Sequence, residues 1–457
     1  MPEEASFLGH PRGLVFLAFS EAWERFSFYG MQALLALYMV GQLLLPGHIE
    51  HVAGFSALRL GLERVLGPLS TQELASAIFG LYAGAVYLTP ILGGLLADRV
   101  LGRRRTVILG ALLMAAGHFL MAFEQPFLIA LLCLVLGNGC FKGNIASQVG
   151  GLYAPGDQRR ADAFQIFYVA ISAGAFFAPL VCGTLGEGVG WHYGFAAAGI
   201  GMLVGLATYL AGQKYLPPEV SRTPASRGLG VRLTGIERAR LLLLIALLPV
   251  FAVGAVGNQE IFNGYMLWAK ASADFSLFGR PFPITWLITL DTIVGVAMTL
   301  ASVAFWRLWA RWRPEPDELT KITLGSVFFI AGLLMLAVGA ESVAGSGRKV
   351  AMGWLVAFHV LNDIGFANVF PVALALYSRA AAPALGSTMI GIYYLQLFIG
   401  NLLVGWLAGL LDRMPAASFW LLHAGLVAAS AAVFLAVKLG LGSLLAPEAT
   451  GPDAAPS

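Results

Sequence analysis

The chain has 457 residues, of which 58% are hydrophobic and 12% charged, and its mean hydropathy is +0.78. A composition this apolar excludes a soluble globular domain of such length and points to a polytopic membrane protein. The formal charge of +3 says little as a total, because orientation depends on which loops carry Lys and Arg.

Apolar runs of about 20 residues or more, long enough to cross a bilayer, fall in order at 13–44, 72–98, 104–123, 126–150, 161–183, 191–213, 239–270, 283–310, 320–340, 350–378, 385–411 and 416–440. They predict an all-α integral membrane protein of twelve helices. Arg99, Arg103, Arg104, Arg105, Arg159, Arg160, Lys214, Arg222, Arg227, Arg232, Arg238, Arg240, Arg307, Arg311, Arg313, Lys321 and Arg379 fall on one side of these runs. Arg59, Arg64, Lys270, Arg280, Arg348, Lys349 and Arg413 fall on the other. The positive-inside rule therefore puts both termini in the cytoplasm, with a bacterial inner membrane as the expected setting. The first dozen residues hold Glu3 and Glu4 and no small-residue cleavage site, so the first run reads as an uncleaved anchor.

One break stands out. Gln213 to Leu233 carries Pro217, Pro218, Pro224 and four basic residues. It divides the chain into an N-terminal six-helix bundle (1–213), a cytoplasmic linker (214–237), a C-terminal six-helix bundle (238–443) and an Ala- and Pro-rich tail (444–457) expected to be disordered. Six helices plus six, joined by a basic linker, is the layout of major facilitator transporters, with the substrate near the midplane between the halves. Two segments on the other side, Pro46 to Ser70 and Ala271 to Pro283, are longer than turns and read as amphipathic or irregular caps.

Within the first run sit Glu21, Glu24 and Arg25. Each such charge near mid-membrane costs roughly 2.5–3.5 kcal/mol on insertion scales, so the group must face a polar cavity and pair internally. Glu21 and Glu24 at i,i+3, and Glu21 and Arg25 at i,i+4, share a helix face. Lys142 in the fourth run supplies a second cation. Protonating one carboxylate of such a cluster frees a cation to re-pair, which converts proton binding into a change of helix packing; the plainer alternative is a static ion pair that fixes packing. Cys133, Cys140 and Cys182 read as small core residues, and neither metal spacing nor a cofactor motif is present. His118 and His359 read as hydrogen-bonded core residues with proton binding as the alternative, and His10, His48, His51, His192 and His423 as peripheral.

After the second run, Asp98, Gly102 and Arg103 stand in a loop whose spacing resembles the signature loop of the major facilitator superfamily, while its further arginines anchor it at the membrane face. The first run, Glu21-Ala22-Trp23-Glu24-Arg25-Phe26-Ser27-Phe28-Tyr29, resembles the ExxERFxYY signature of the proton-dependent oligopeptide transporter family. Val86 to Pro90, Gly139 to Asn144 and Phe167 to Gly174 agree with it; the second half matches more loosely, through Asn263 to Ala269, Pro283 to Asp291, Pro371 and Gly386 to Gly405. The resemblance implies that Glu21, Glu24, Arg25 and Lys142 couple protonation to substrate binding; Glu260, an acid displaced from the family's position, is expected as a further proton-coupling group. It also implies a peptide site lined by Tyr29, Gln32, Tyr87 and Tyr168, with core packing as the alternative for the rings; Asn263 and Tyr393, the latter where the family often has tryptophan, are expected to line it too.

Departures concentrate in the second half. The family usually carries a glutamate on its tenth helix just after a glycine; here Phe366 follows Gly365. Asp363 lies three residues earlier, Asp291 replaces a residue usually asparagine, and Asn258-Gln259-Glu260 inverts the usual Glu-Gln order. Ser172 stands for asparagine and Phe370 for serine, so a narrower, more apolar pocket follows, with Asp291 and Asp363 as a relocated acidic subsite for a cationic group or a proton. The expectation is a monomeric importer of small peptides with protons by alternating access, acting within the lipid bilayer and on no nucleic acid. A transporter of a peptide-like solute and a peptide-binding membrane sensor are its rivals; an enzyme is not expected, since neither GxSxG nor a phosphate loop occurs.

Overall fold

The computed structural model describes residues 6–7, 9–154, 157–218, 233–277, 280–380 and 386–445. The middle of the linker (219–232), with Arg222, Arg227 and Arg232, and the tail beyond 445 lie outside the described residues.

Helices fill all twelve expected runs. In the first half, α1 (Arg12–Tyr38) continues through a π turn, Met39–Leu43, and α2 (Phe55–Leu66) lies in the long segment that follows, with Phe55 as its one buried residue. Then come α3 (Thr71–Leu96), α4 (Arg103–Leu120), α5 (Phe127–Gly151), α6 (Arg159–Ala178), the short α7 (Thr184–Gly188) and α8 (Trp191–Gly212). In the second half α9 (Gly235–Gly254) passes into α10 (Val256–Gln259), a 3-10 turn at Glu260–Phe262 and α11 (Gly264–Ser272). These are followed by α12 (Trp286–Trp309), α13 (Glu318–Glu341), α14 (Met352–Ala380), α15 (Gly386–Leu407) and α16 (Ala416–Leu445).

Local chemistry sets several boundaries. Ser70 opens α3 with a capping box, its hydroxyl accepting from Glu73 N–H at 3.2 Å while Glu73 accepts from Ser70 N–H at 2.6 Å. Thr234 and Glu237 do the same for α9, so this helix begins inside the stretch read as linker. Gly102, at φ +81°, turns the chain from α3 into α4 in a conformation that favours glycine.

Among the described residues, nine helical segments are each long and apolar enough to cross a membrane, and the bent pair Gly235–Gly254 with Val256–Phe262, 53° apart, makes a tenth. Helices α1 and α4 also occupy expected runs but carry charges, Glu21, Glu24 and Arg25 within the first and Arg103, Arg104 and Arg105 at the start of the second.

The two halves meet through α3 with α15, α6 with α12, and α1 with α11. At Gly80 the backbones of α3 and α15 touch: an added Cβ would lie 2.6 Å from the Asn401 carbonyl oxygen and from Gly405 Cα, the close approach that small residues permit between membrane helices. Hydrogen bonds between the halves join Ser70 to Asp412 (2.6 Å) and Arg413 to Glu73. Glu187 accepts from Thr285 N–H (3.0 Å), the Thr285 hydroxyl (2.7 Å) and Ile284 N–H (3.1 Å), and Thr289 donates to Phe176 O (3.1 Å). In the sequence of each helix these contacts lie toward the end whose loops are poor in Lys and Arg. Among the described residues these hydrogen bonds between the halves gather toward that one end, which they close.

Candidate functional site

The charged residues of α1 form one buried group. Arg25 Nε lies 2.5 Å from Glu24 Oε2 and 3.2 Å from Glu21 Oε1, all three residues being 4% exposed or less. The i,i+4 pair expected from helix geometry is present, and Arg25 adds its sequence neighbour Glu24. Asn138 of α5 donates to the other oxygen of Glu24 at 3.3 Å. Glu21 Oε2 and Arg25 Nη2 are buried with no hydrogen-bond partner, so the cluster has one acceptor and one donor free for exchange. Gly174 of α6 brings that helix against Ala22 and, by an added Cβ, to 2.9 Å from Arg25 Cβ.

Lys142 does not complete a set of two acids and two bases. Its ammonium sits 4.8 Å from the centre of the Tyr87 ring, and among the described residues it forms no ion pair. A cation–π contact of this kind holds the charge without neutralising it, which leaves Lys142 available to a carboxylate that approaches.

The expected lining residues separate into two groups. Tyr29, Tyr87, Tyr168 and Asp291 keep exposed surface, with Tyr168 52% exposed; Tyr29 stacks on Phe262 across the halves at 6.0 Å. Gln32 is 9% exposed and its carbonyl oxygen lacks a partner. Asn263 instead is fully buried and donates to Ser76 O of α3 at 3.4 Å, so it serves the contact between halves. Tyr393 is 1% exposed inside an aromatic cluster with Phe251, Phe370 and Tyr377. Neither of these two presents surface to a solute. Phe366, in the position of the missing glutamate, stacks on Phe370 at 5.2 Å with rings 10° apart.

Histidines hold two of the three relocated acids. Glu260 is fully buried at the helix break, 3.1 Å from His423 Nε2 of α16, and its other oxygen accepts from Gly264 N–H at 2.9 Å. His423, read as peripheral from sequence, is therefore an interior residue; a lone His in an apolar run 163 residues away carries no signal of its partner. Asp291 pairs with His359 at 2.8 Å, and Asp363 is 4% exposed beside Asn362. His118 is also corrected: it is fully buried with both ring nitrogens unpartnered. Sequence reasoning also missed Asn138 and Tyr265, since single polar groups in apolar runs acquire meaning only from the helix they face.

In the turn after α3 (97–101), Asp98 is exposed and its side chain has no hydrogen bond among the described residues. Arg104 does the fastening, donating to Leu216 O (3.0 Å) and Pro217 O (2.8 Å) beyond α8, while Arg103 opens α4. Among the described residues no group of three or more His, Cys, Asp or Glu is placed to hold a metal ion.

Known proteins share this architecture. The family model described as the POT family matches residues 104–225. The chain is 30% identical to the peptide transporter YePEPT of Yersinia enterocolitica over 91% of both chains. It is 32% identical to a di-/tripeptide transporter of Lactococcus lactis over 88% of this chain and 78% of that one. A crystal structure of a peptide transporter POT in complex with sulfate superposes with a TM-score of 0.83 at 25% identity, covering 96% of this chain and 97% of that one. A mutant POT in complex with alafosfalin gives 0.82 at 26%, with the same coverage. With relatives that span nearly its whole length, and a buried Glu-Glu-Arg cluster on its first helix where the family signature lies, the chain belongs to the POT family, the proton-dependent oligopeptide transporters.

Proposed function

We propose that the protein imports di- and tripeptides together with protons by alternating access. The observation that carries this reading is the buried cluster of Glu21, Glu24 and Arg25, with one acceptor and one donor unpartnered and Lys142 held over Tyr87 nearby. A proton arriving on Glu21 or Glu24 removes one counter-charge of Arg25, and the freed guanidinium or Lys142 then takes a substrate carboxylate. The peptide transporters among its relatives support the substrate class.

In this reading residues 1–213 and 238–443 rock as two bundles about the linker, Asp98, Gly102 and Arg103 form a gating loop between α3 and α4, and the basic-rich end is parted and cytoplasmic. The protein then sits as a monomer in the inner membrane, both termini inside, and the arrangement is the inward-facing one. Tyr29, Gln32, Tyr87 and Tyr168 line the site, Asp291 and Asp363 face the amino terminus of the peptide, and Glu260 carries a proton.

The deciding test is accumulation of labelled dialanine in proteoliposomes with and without an inward proton gradient. Gradient-driven uptake is expected in the wild type and lost in Lys142→Ala and Glu21→Gln; equal uptake without the gradient would remove protons from the cycle. A second reading, transport of a peptide-like solute with less charge at its amino end, is favoured by the Phe366–Phe370 stack where the family glutamate is missing. It predicts weak competition by dialanine and strong competition by N-acylated analogues. Binding without uptake would indicate a sensor, and hydrolysis of dialanine by the purified protein an enzyme.

A further inference from the structure

His359 of α14 is fully buried, and both its nitrogens are engaged. Nδ1 lies 2.8 Å from Asp291 Oδ1 of α12, and Nε2 lies 2.9 Å from the Tyr265 hydroxyl of α11. Asp291 keeps 20% of its side-chain surface exposed, whereas His359 has none. The row therefore runs from an accessible carboxylate, through an imidazole, to a hydroxyl on the half-helix beyond the break at Glu260–Phe262.

Other titratable groups are few. Asp363, four residues on along α14, buries Oδ2 without a partner and lies within electrostatic reach of Asp291; Gly295 of α12 leaves room for it, an added Cβ being 3.7 Å from its carboxyl. Tyr29 of α1 interacts electrostatically with Asp291 from the opposite half. Glu260 and His423 stand behind Trp420, whose ring contacts both Tyr265 and His423. Among the described residues no Lys or Arg pairs with Asp291, Asp363 or His359, so nothing but a proton or a bound cation offsets these acids.

Hydrogen-bond accounting fixes what a proton would do. With His359 neutral, Nδ1–H donates to ionised Asp291 and Nε2 accepts from the Tyr265 hydroxyl. With His359 as imidazolium both nitrogens donate, and the Tyr265 hydroxyl must become an acceptor. It then has to turn its own hydrogen away, although its oxygen has no other hydrogen-bond partner among the described residues. Loading one proton from the exposed Asp291 side thus breaks or reverses a bond held by α11, beyond the helix break.

We propose that Asp291, His359 and Tyr265 form a proton-loading relay in the C-terminal half, separate from the α1 cluster, that reports its protonation to α11. The relay rests on the transport reading above for its purpose, but not for its chemistry, and two measurements separate them. In proteoliposomes, His359→Gln is expected to retain dialanine counterflow at equal pH while its gradient-driven accumulation falls about tenfold per pH unit of gradient, the driving force of one coupled proton. Unchanged accumulation in His359→Gln overturns the relay.

Independently of any substrate, ¹⁵N-histidine spectra of the whole protein should show a resonance, absent in His359→Gln, that passes from neutral tautomer to imidazolium as pH is lowered. In Tyr265→Phe, which removes only the hydroxyl, that transition should move. A His359 signal that does not titrate, or titrates identically in Tyr265→Phe, also overturns the relay. Should wild type fail to move dialanine while this signal behaves as expected, the peptide reading falls and the relay stands. If His359→Gln does not fold, Tyr265→Phe carries the transport measurement, with reduced accumulation expected and unaltered accumulation overturning the proposal.

Discussion

Hydrogen-bond geometry places one proton between Glu260 and His423. His423 Nδ1 faces the Phe419 carbonyl oxygen at 2.9 Å, which can only accept, so that nitrogen carries hydrogen. Its Nε2 faces Glu260 at 3.1 Å, and a proton must lie between them, on one group or the other. A glutamine amide can donate to the same nitrogen while its oxygen accepts from Gly264 N–H. Glu260→Gln should therefore unfold within a few degrees of wild type. Glu260→Ala, which strands a buried nitrogen and a backbone N–H, should lose about 1–3 kcal/mol; thermal unfolding in detergent distinguishes them. Equal losses would mean that the pair contributes shape alone. If Glu260 also carries a proton in transport, Glu260→Gln will be stable yet uncoupled.

At the scale of elements, the twelve runs were legible because burial in lipid demands long apolar stretches, and their residues announce it whatever they pack against. The same holds for the α1 cluster, where i,i+4 spacing gives Glu21 and Arg25 a common face before any tertiary contact forms. The break after Gly254 was not legible, nor was the docking of Glu260 beyond it on His423, a contact between segments 163 residues apart. Nor were the partners of Asp291 and the burial of Asn263 and Tyr393, since helix periodicity says which residues share a face but not which neighbour that face meets.

The connection between α4 and α5 makes the same point outside the membrane. Glu124 accepts from Gln42 at 3.1 Å and from His48 at 2.6 Å, with His51 at 3.6 Å. Burial pushes its carboxyl up, but the bonds from Gln42 and His48 outweigh this and hold it below its ordinary value of 4.5. A carboxyl depressed on folding stabilises the native state above its unfolded value and loses that contribution as pH falls through the folded one. Stability of the wild type should therefore decline below about pH 4.5, and Glu124→Gln should flatten that part of the profile, as followed by thermal unfolding against pH.

On the scale of the whole molecule, what distinguishes the closed end is that one carboxylate does the work of a cap. Glu187, at the end of α7, accepts two backbone N–H groups and a hydroxyl at the start of α12, so a helix N-terminus in one half is satisfied by an acid in the other. Arg413 with Glu73 spans the same end; Glu73 is buried, but the Arg413 side chain is 55% exposed, so the pair is open to water on its arginine side, where such pairs contribute about 0–1 kcal/mol. Breaking it should barely move the balance between the two arrangements. Glu187→Ala removes three bonds that exist only when this end is shut, and leaves the N–H groups to water once it opens. A loss of about 1–3 kcal/mol from the closed arrangement shifts the ratio of the two arrangements by about fivefold to more than a hundredfold. Spin labels across the closed end, one near α7 and one near α12, should report longer distances in Glu187→Ala and unchanged ones in Arg413→Gln. The reverse order would assign the latch to the surface pair and leave Glu187 as a local cap.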